Sequence, residues 1–208
     1  TGFNFWLSDF TKIVPTQPIV SDALFNACIL SETSIFQVAH GFYNAACAKL
    51  RDVLDNFLNG LYFDIVEKKG ISIGYRYIDW RMGTTDNFPR LKDILKTIFK
   101  EKNFAEYDKK YEFRTEIREF YRELSKYTHT RAKTPKGGIH ARSSVFNLQF
   151  NSNEFEVYAS HLKKIYRIIS TLLILRLPQF ITLNTDELGR FKRYEPTTFQ
   201  NILDINPV

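Results

Sequence analysis

Apolar residues recur every three or four positions through most of the chain, a spacing that predicts long amphipathic helices. The longest stripe begins after Ser31 and ends near Lys68, so we expect one helix of about 35 residues there, kinked at Gly41 and Gly60. Ser21 is placed to cap a shorter helix that runs through Leu30. The long stripe consists of Ile35, Val38, Phe42, Ala46, Leu50, Val53, Phe57, Leu61 and Ile65.

Three further helical segments follow from the same period. Asp86–Pro89 resembles a helix start, and its apolar positions continue to about Lys102. One helix or a helix pair is expected over 104–129. A last long helix is expected from Asn153 to Leu177, because Pro178 cannot continue it.

Two short stretches depart from the helical period. Residues 71–78 alternate and are expected to be extended, and 145–150 alternate weakly. These signals predict an all-α fold, a helical bundle of four to five main helices, with at most a small β-hairpin. We expect an N-terminal segment with a short helix over 1–32, the bundle over 33–177, and an irregular C-terminal tail over 178–208.

Composition favours a polyanionic partner without requiring one. The chain has 208 residues and a formal net charge of +6, with a pI near 9.2. That balance suits nucleic acid, and it equally suits a mildly basic soluble protein. The most apolar run, 168–175, lies between two arginines and is too short to cross a membrane. We therefore expect a cytoplasmic protein without a membrane partner.

The cysteines and histidines do not suggest a metal centre. Cys28 and Cys47 lie among apolar residues with helical spacing, so we expect buried thiols in a reducing compartment. No Cys/His cluster has the spacing of a zinc site, and we expect no metal or other cofactor. His40 and His161 lie within long helical patterns and are expected to be structural.

Residues 106–129 sort their charges by face. On a helix, the apolar stripe consists of Phe113, Ile117, Phe120, Leu124 and Tyr127. The opposite side carries Arg114, Arg118, Arg122, Ser125 and His129. Solvated helix faces usually mix both signs of charge to gain pairs four residues apart. A face with several cations, a hydroxyl and an imidazole but no carboxylate therefore predicts a phosphate-binding surface.

Arg122 and His129 are two helical turns apart and share this face. Here the chain resembles the HEPN superfamily, whose motif is an arginine, four to six residues and a histidine near the C-terminal end of a helix in a bundle. The sequence around them, residues 121–129, is also similar to HEPN-related domains of bacterial conflict and defence systems. Glu123 departs from the Asn, Asp or His that more often follows the motif arginine.

The two side chains have the chemistry that metal-independent RNA cleavage requires. A histidine titrates near neutral pH and transfers protons, while an arginine binds phosphate oxygens with a bidentate fork. Ser125, one turn from each, is expected to orient a phosphate or the imidazole. The resemblance implies RNA as substrate, a homodimer that sets two motifs across one cleft, and a defence or toxin–antitoxin setting with an antitoxin or larger complex as partner.

Further cations are candidates for RNA binding. Loop 131–142 has no acidic residue, and Gly137–Gly138 gives it backbone freedom, so it either closes over a phosphate backbone or is a solvated connector. His140 within it is a possible second proton-transfer group. Arg114 and Arg118 contact RNA, or they pair with Asp108 or Glu119. The expected nucleic-acid-binding residues are Arg114, Arg118, Lys126, Arg131, Lys133, Lys136 and Arg142.

Other interpretations stay open at this level. An arginine and a terminal histidine on one helix face can be ordinary surface residues that suit the helix dipole. Tyr75, Tyr77 and Trp80, interleaved with Arg76 and Arg81, suit stacking on bases or packing on the bundle. Besides an endoribonuclease, the chain suits a non-catalytic HEPN-like module that binds nucleic acid or docks a partner. A purely structural helical interaction domain is the third possibility.

Overall fold

The computed structural model describes residues 18–67, 74–84, 89–128, 150–182 and 186–205. These residues form nine α-helices and one 3-10 turn, Pro178–Ile181, without any strand, and the all-α prediction is confirmed. The helix number exceeds the four to five main helices expected. The helices are α1 Pro18–Ala39, α2 Tyr43–Glu67, α3 Gly74–Met82, α4 Leu91–Ile98, α5 Lys102–Tyr111, α6 Phe113–Thr128, α7 Ser152–Arg176, α8 Asp186–Tyr194 and α9 Pro196–Leu203.

Helix α2 is the centre of the bundle. It packs against α1, α4, α6 and α7, and it is buried along most of its length. Gly60 allows α1 to approach closely, because a Cβ at that position would lie 2.2 Å from the Cβ of Ala23. The fully buried apolar residues of α2 include Leu50, Val53, Leu54, Phe57 and Leu58.

The prediction of one helix from Ser31 to Lys68 is wrong. The chain turns between α1 and α2, where Gly41 adopts a left-handed φ of 79° and Phe42 N donates to Gln37 O at 2.8 Å. Nor does a helix begin at Ser31, whose hydroxyl donates to the carbonyl of Ala27 inside α1. The apolar period continues through the turn because both helices bury their stripes in the same core.

The expected strand over 71–78 is also wrong where the structure describes it, because α3 begins at Gly74. Tyr77 and Trp80, one turn apart in α3, both pack against Phe63 of α2. This helical spacing, rather than the alternation, buries Tyr77. Residues 71–73 and 145–149 lie outside the described residues.

The C-terminal part is more ordered than expected. Helix α7 matches the predicted last long helix, with the Asn151 side chain accepting from Glu154 N at its start. The described residues of the expected irregular tail, 178–182 and 186–205, are mostly helical, and α8 and α9 bury Phe191 and Ile202 in the core. Each of these helices has only two turns, too few for a clear period in the sequence.

The segment 104–129 forms a helix pair. Glu112, with a left-handed φ of 52°, separates α5 from α6. Helix α6 buries four of the five predicted apolar residues, and its fifth, Tyr127, is half-buried. Helix α4 begins at Leu91 rather than in the Asp86–Pro89 segment, of which only Pro89 belongs to the described residues.

The expectation about membranes concerned the run at 168–175, but the helix that bears on it is α1. Among the described residues it is the one helix long and apolar enough to cross a membrane, although the packed core helix of a soluble protein has the same character. In this fold, 44% of its apolar window is buried inside the protein. The predicted burial of Cys28 in α1 and Cys47 in α2 as free thiols is confirmed.

Candidate nucleic-acid interface

Different sides of helix α6 face the core, the neighbouring helices and the solvent. Phe113, Ile117, Phe120 and Leu124 are fully buried in the core. One flank contacts α2 and the other contacts α7. The remaining side faces outward and contains the arginines singled out from the sequence.

On the first flank, Arg51 of α2 holds the C-terminal part of α6. Its Nη1 donates to Thr128 Oγ1 and its Nη2 to Tyr121 Oη, both at 2.9 Å. Tyr121 Oη in turn donates to Asp55 Oδ2 at 3.0 Å, and burial raises the pKa of the Asp55 carboxyl. These bonds fix the last two turns of α6 on α2.

On the second flank, the carboxylates of α6 face α7. Glu116 forms ion pairs with Arg167 and Lys164, and Lys164 lies over the ring of Phe120 at 4.6 Å. Glu123 also faces α7, where its Oε1 lies 3.9 Å from His161 Nε2. The carboxylates of Glu116 and Glu123 therefore contact α7 instead of pairing with the arginines of α6.

The exposed residues of α6 include three cations in series and one carboxylate, that of Glu119. Arg118, Arg122 and Lys126 are all exposed, and no described residue forms a hydrogen bond or ion pair with them. They follow one another at intervals of four residues, a spacing at which like charges repel. A helix face of this kind gains free energy when an anion neutralises it.

Arg114 differs from these three residues. Its Nε lies 3.4 Å from Asp108 Oδ2, and its backbone N donates to Asp108 Oδ1 at 2.7 Å. Asp108 of α5 thus holds the first turn of α6. This pairing is one of the two arrangements expected for Arg114 if it does not bind RNA.

Ser125 lies toward the α2 flank rather than fully outward. Its hydroxyl donates to the carbonyl of Tyr121 at 2.7 Å, and its own carbonyl accepts from Thr128 Oγ1 at 2.9 Å. The hydroxyl oxygen keeps lone pairs but has already given its hydrogen. Ser125 would have to break this bond to donate to a phosphate.

The remaining candidates follow α6 in the sequence. The helix ends at Thr128, one residue before His129. His129 itself, together with Arg131, Lys133, Lys136, His140 and Arg142, lies outside the described residues. The structure therefore brings together Arg118, Arg122, Lys126 and Ser125 of the predicted site.

The contact of Glu123 with His161 is not evident from the sequence. In the sequence Glu123 is only a departure from the motif, and His161 is only a histidine within a long helical pattern. His161 is 7% exposed, and its Nε2 also lies 3.3 Å from Tyr127 Oη. Desolvation by burial lowers the pKa of this imidazole, partly offset by the charge of Glu123. The contact depends on the packing of α6 on α7.

The aromatic and basic residues of α3 pack on the bundle. Tyr77 Oη donates to Asp22 Oδ2 at 2.5 Å, and Arg81 Nε lies 3.1 Å from the same carboxylate oxygen. The ring of Trp80 lies 5.9 Å from that of Phe63. This arrangement favours packing of these three residues over base stacking.

Neither a metal site among the described residues nor a match to a known protein helps to assign the function. Within the part of the chain that the structure describes, no group of three His, Cys, Asp or Glu side chains is placed to bind a metal ion. No protein-family model, curated protein or solved structure matches the chain. The candidate site therefore rests on the geometry and charge of α6.

Proposed function

We propose that this chain is a HEPN-like, metal-independent endoribonuclease whose RNA-binding surface is the outward side of α6. Arg122 holds the scissile phosphate, and His129 transfers protons. Arg118 and Lys126 bind flanking phosphates. The protein acts as a homodimer in a bacterial defence or toxin–antitoxin setting, where it meets an antitoxin or a larger complex.

The observation that carries this proposal is the exposed series Arg118, Arg122 and Lys126. No described carboxylate neutralises these side chains, although Glu119 and Glu123 each lie three residues before one of the cations. In a helix selected only for solubility, such pairs would form readily. An arginine without a protein partner is free to present its guanidinium to two phosphate oxygens.

The proposed reaction is an internal transesterification. The ribose 2′-oxygen attacks the adjacent phosphorus, and its proton passes to a base. The bond between phosphorus and the 5′-oxygen breaks, and that oxygen receives a proton. The products are a 2′,3′-cyclic phosphate and a 5′-hydroxyl. One imidazole can carry out only one of the two proton transfers at a time. In the homodimer, the imidazole of the second subunit carries out the other.

Cleavage of labelled single-stranded RNA by the full chain in EDTA tests the proposal. Wild type should yield ends with a 2′,3′-cyclic phosphate. Arg122→Ala should lower the rate by about 100-fold or more, since it removes a group that stabilises the transition state. His129→Ala should lower it by about 100- to 10,000-fold, since it removes proton transfer.

A matched control removes an exposed cation elsewhere. Arg193 lies exposed on α8, whose Phe191 packs against Tyr166 of α7 and Phe199 of α9. Arg193→Ala changes the net charge as Arg122→Ala does, and it should leave the rate within about twofold of wild type, as expected of a surface change away from the site. Equal losses in the two variants, or cleavage that persists in His129→Ala, would refute the catalytic assignment.

A non-catalytic nucleic-acid-binding module is the second candidate. It is favoured by the state of two groups near Arg122: Ser125 donates to Tyr121 O, and Glu123 faces His161. The described part of the motif thus offers cations but no free group for proton transfer. Salt-sensitive RNA binding that falls in Arg118→Ala and Arg122→Ala, without cleavage by wild type, would establish this function.

A further inference from the structure

We infer that the RNA-binding surface extends beyond α6 onto α4 and the turn that follows it, where Lys92, Lys96 and Lys100 form a second cationic series. The partner it fits is an extended single strand of RNA rather than one isolated phosphate. This inference rests on the proposed function, because it concerns the same ligand and enlarges its site.

The lysines of the second series lie at intervals of four residues, and all three are exposed. Lys92 and Lys96 are one turn apart on α4, and Lys100 lies in the turn that follows this helix. The opposite side of α4 is buried on α2 through Ile94, Leu95 and Ile98. The helix is thus held in place by its apolar side, and its lysines are presented to solvent.

The stability of α4 does not explain this series. Like charges four residues apart repel, and the positive end of the helix dipole disfavours Lys92 in the first turn. Asp93 lies three residues before Lys96, yet no ion pair joins them. No described residue forms a hydrogen bond or ion pair with any of the three lysines. An external anion would remove this repulsion.

The end of α4 lies close to the start of α6. The rings of Phe99, which follows α4, and Phe113, the first residue of α6, lie 6.3 Å apart, and each phenylalanine is followed directly by an exposed cation, Lys100 and Arg114 respectively. Arg114 is paired with Asp108, so the α6 series begins one turn later, at Arg118. Lys100 is therefore the lysine of the second series that is nearest in the fold to the start of α6.

The length of the combined surface determines the kind of partner. At 1.5 Å per residue, Lys92–Lys96 spans about 6 Å of α4 and Arg118–Lys126 about 12 Å of α6. One phosphate covers only a small part of this distance. A chain of successive phosphates neutralises both series, which is the property of an RNA strand.

The test compares the salt dependence of RNA affinity between two triple variants. Fluorescence anisotropy measures the Kd of a labelled single-stranded RNA at several KCl concentrations. Replacing Lys92, Lys96 and Lys100 by Gln should reduce the slope of log affinity against log salt by about 2, because each lost phosphate contact contributes about 0.7. Circular dichroism should show unchanged helix content, since all three side chains are exposed.

The control variant replaces Lys163, Lys192 and Arg193 by Gln. These side chains are exposed on α7 and α8, and their loss changes the net charge equally. The control should keep the wild-type slope. A shorter RNA, long enough only for the α6 series, should give equal slopes for wild type and the α4 variant.

The outcomes separate this inference from the function on which it rests. If wild type binds no RNA, the proposed function fails, and the inference fails with it. If wild type binds RNA but the α4 variant keeps its slope, or the control loses as much, only the inference is overturned. Binding of phosphatidylserine vesicles in place of RNA, with the same dependence on α4, would also overturn it.

Discussion

Glu123 of α6 and His161 of α7 face each other across the contact between these helices, with Glu123 Oε1 3.9 Å from His161 Nε2. Tyr127 Oη lies 3.3 Å from the same nitrogen, and the imidazole ring packs edge-on against Phe120. Lys164, one turn along α7, adds a positive charge nearby. The histidine is thus neutral and buried beside the helix that carries the proposed site.

The pH dependence of stability should reveal this buried histidine. Burial places the pKa of His161 in the folded protein below its unfolded value near 6.5, so between those two pKa values the unfolded chain binds more protons. The contribution is therefore present above about pH 6.5 and is lost as the pH falls through the folded pKa. We expect the free energy of unfolding in urea to fall from pH 7.5 to pH 5.5, and to fall less in His161→Gln.

His40 provides the comparison for this effect. It is exposed at the end of α1, where its Nδ1 lies 2.8 Å from Phe36 O. His40→Gln removes an exposed imidazole and is the control variant measured alongside His161→Gln. An identical dependence in wild type and His161→Gln would show that the buried imidazole does not titrate with folding.

The close contact of α1 and α2 at Gly60 predicts a second pair of variants. Gly60→Ala places a Cβ 2.2 Å from that of Ala23, so the helices must separate. We expect a loss of about 1–3 kcal/mol in the free energy of unfolding. Gly189→Ala in α8 meets no atom within 4 Å and should add about 0.5–1 kcal/mol through helix propensity.

A compensating change checks that the contact is the cause. In a Gly60→Ala, Ala23→Gly double variant, the nearest remaining atoms are Ala23 Cα and Ile19 O, both at 3.6 Å, an ordinary contact distance. The double variant should be more stable than the sum of the two single losses implies. Strict additivity would show that the helices do not touch at this point.

Helix periodicity in the sequence was sufficient to identify α6 and α7, because each keeps one apolar stripe over many turns. It was insufficient at the α1–α2 turn, where two helices on one core continue a single stripe through Gly41. It was also insufficient for α8 and α9, whose two turns hold too few apolar residues. The pattern reports which side of a helix is buried, and it does not report where the chain reverses.

For the candidate site, too, the sequence predicted what depends on one helix and missed what depends on the packing of helices. The exposed cationic side of α6 followed from charge spacing along one helix, which is a local property. The positions of Glu116 and Glu123 did not follow, because α7 draws them away through Arg167, Lys164 and His161. The hydrogen bonds from Arg51 to Tyr121 and Thr128 join residues that are 70 and 77 positions apart in the sequence.

The two cysteines should be unreactive in the folded protein. Burial, together with the charge of Glu32 at Cys28 and of Glu154 at Cys47, raises the pKa of both thiols to about 12. The thiolate is the reactive form, and little of it exists near pH 8. We expect negligible reaction with a disulfide reagent in native buffer and rapid reaction of both thiols in urea. Fast stoichiometric labelling without denaturant would contradict their burial.

The pair of Asp64 in α2 and Arg176 at the end of α7 should be costly to break from one side. Their side chains are 6% and 10% exposed, and Arg176 Nε and Nη2 both donate to Asp64 Oδ2, at 2.7 and 2.5 Å. Arg176→Met leaves a buried carboxylate without its partner and should cost about 3–5 kcal/mol in urea unfolding. An Asp64→Leu, Arg176→Met double variant removes both charges and should recover most of that loss. If the double variant is no more stable than Arg176→Met alone, the pair contributes through packing of the arginine stem rather than through its charge.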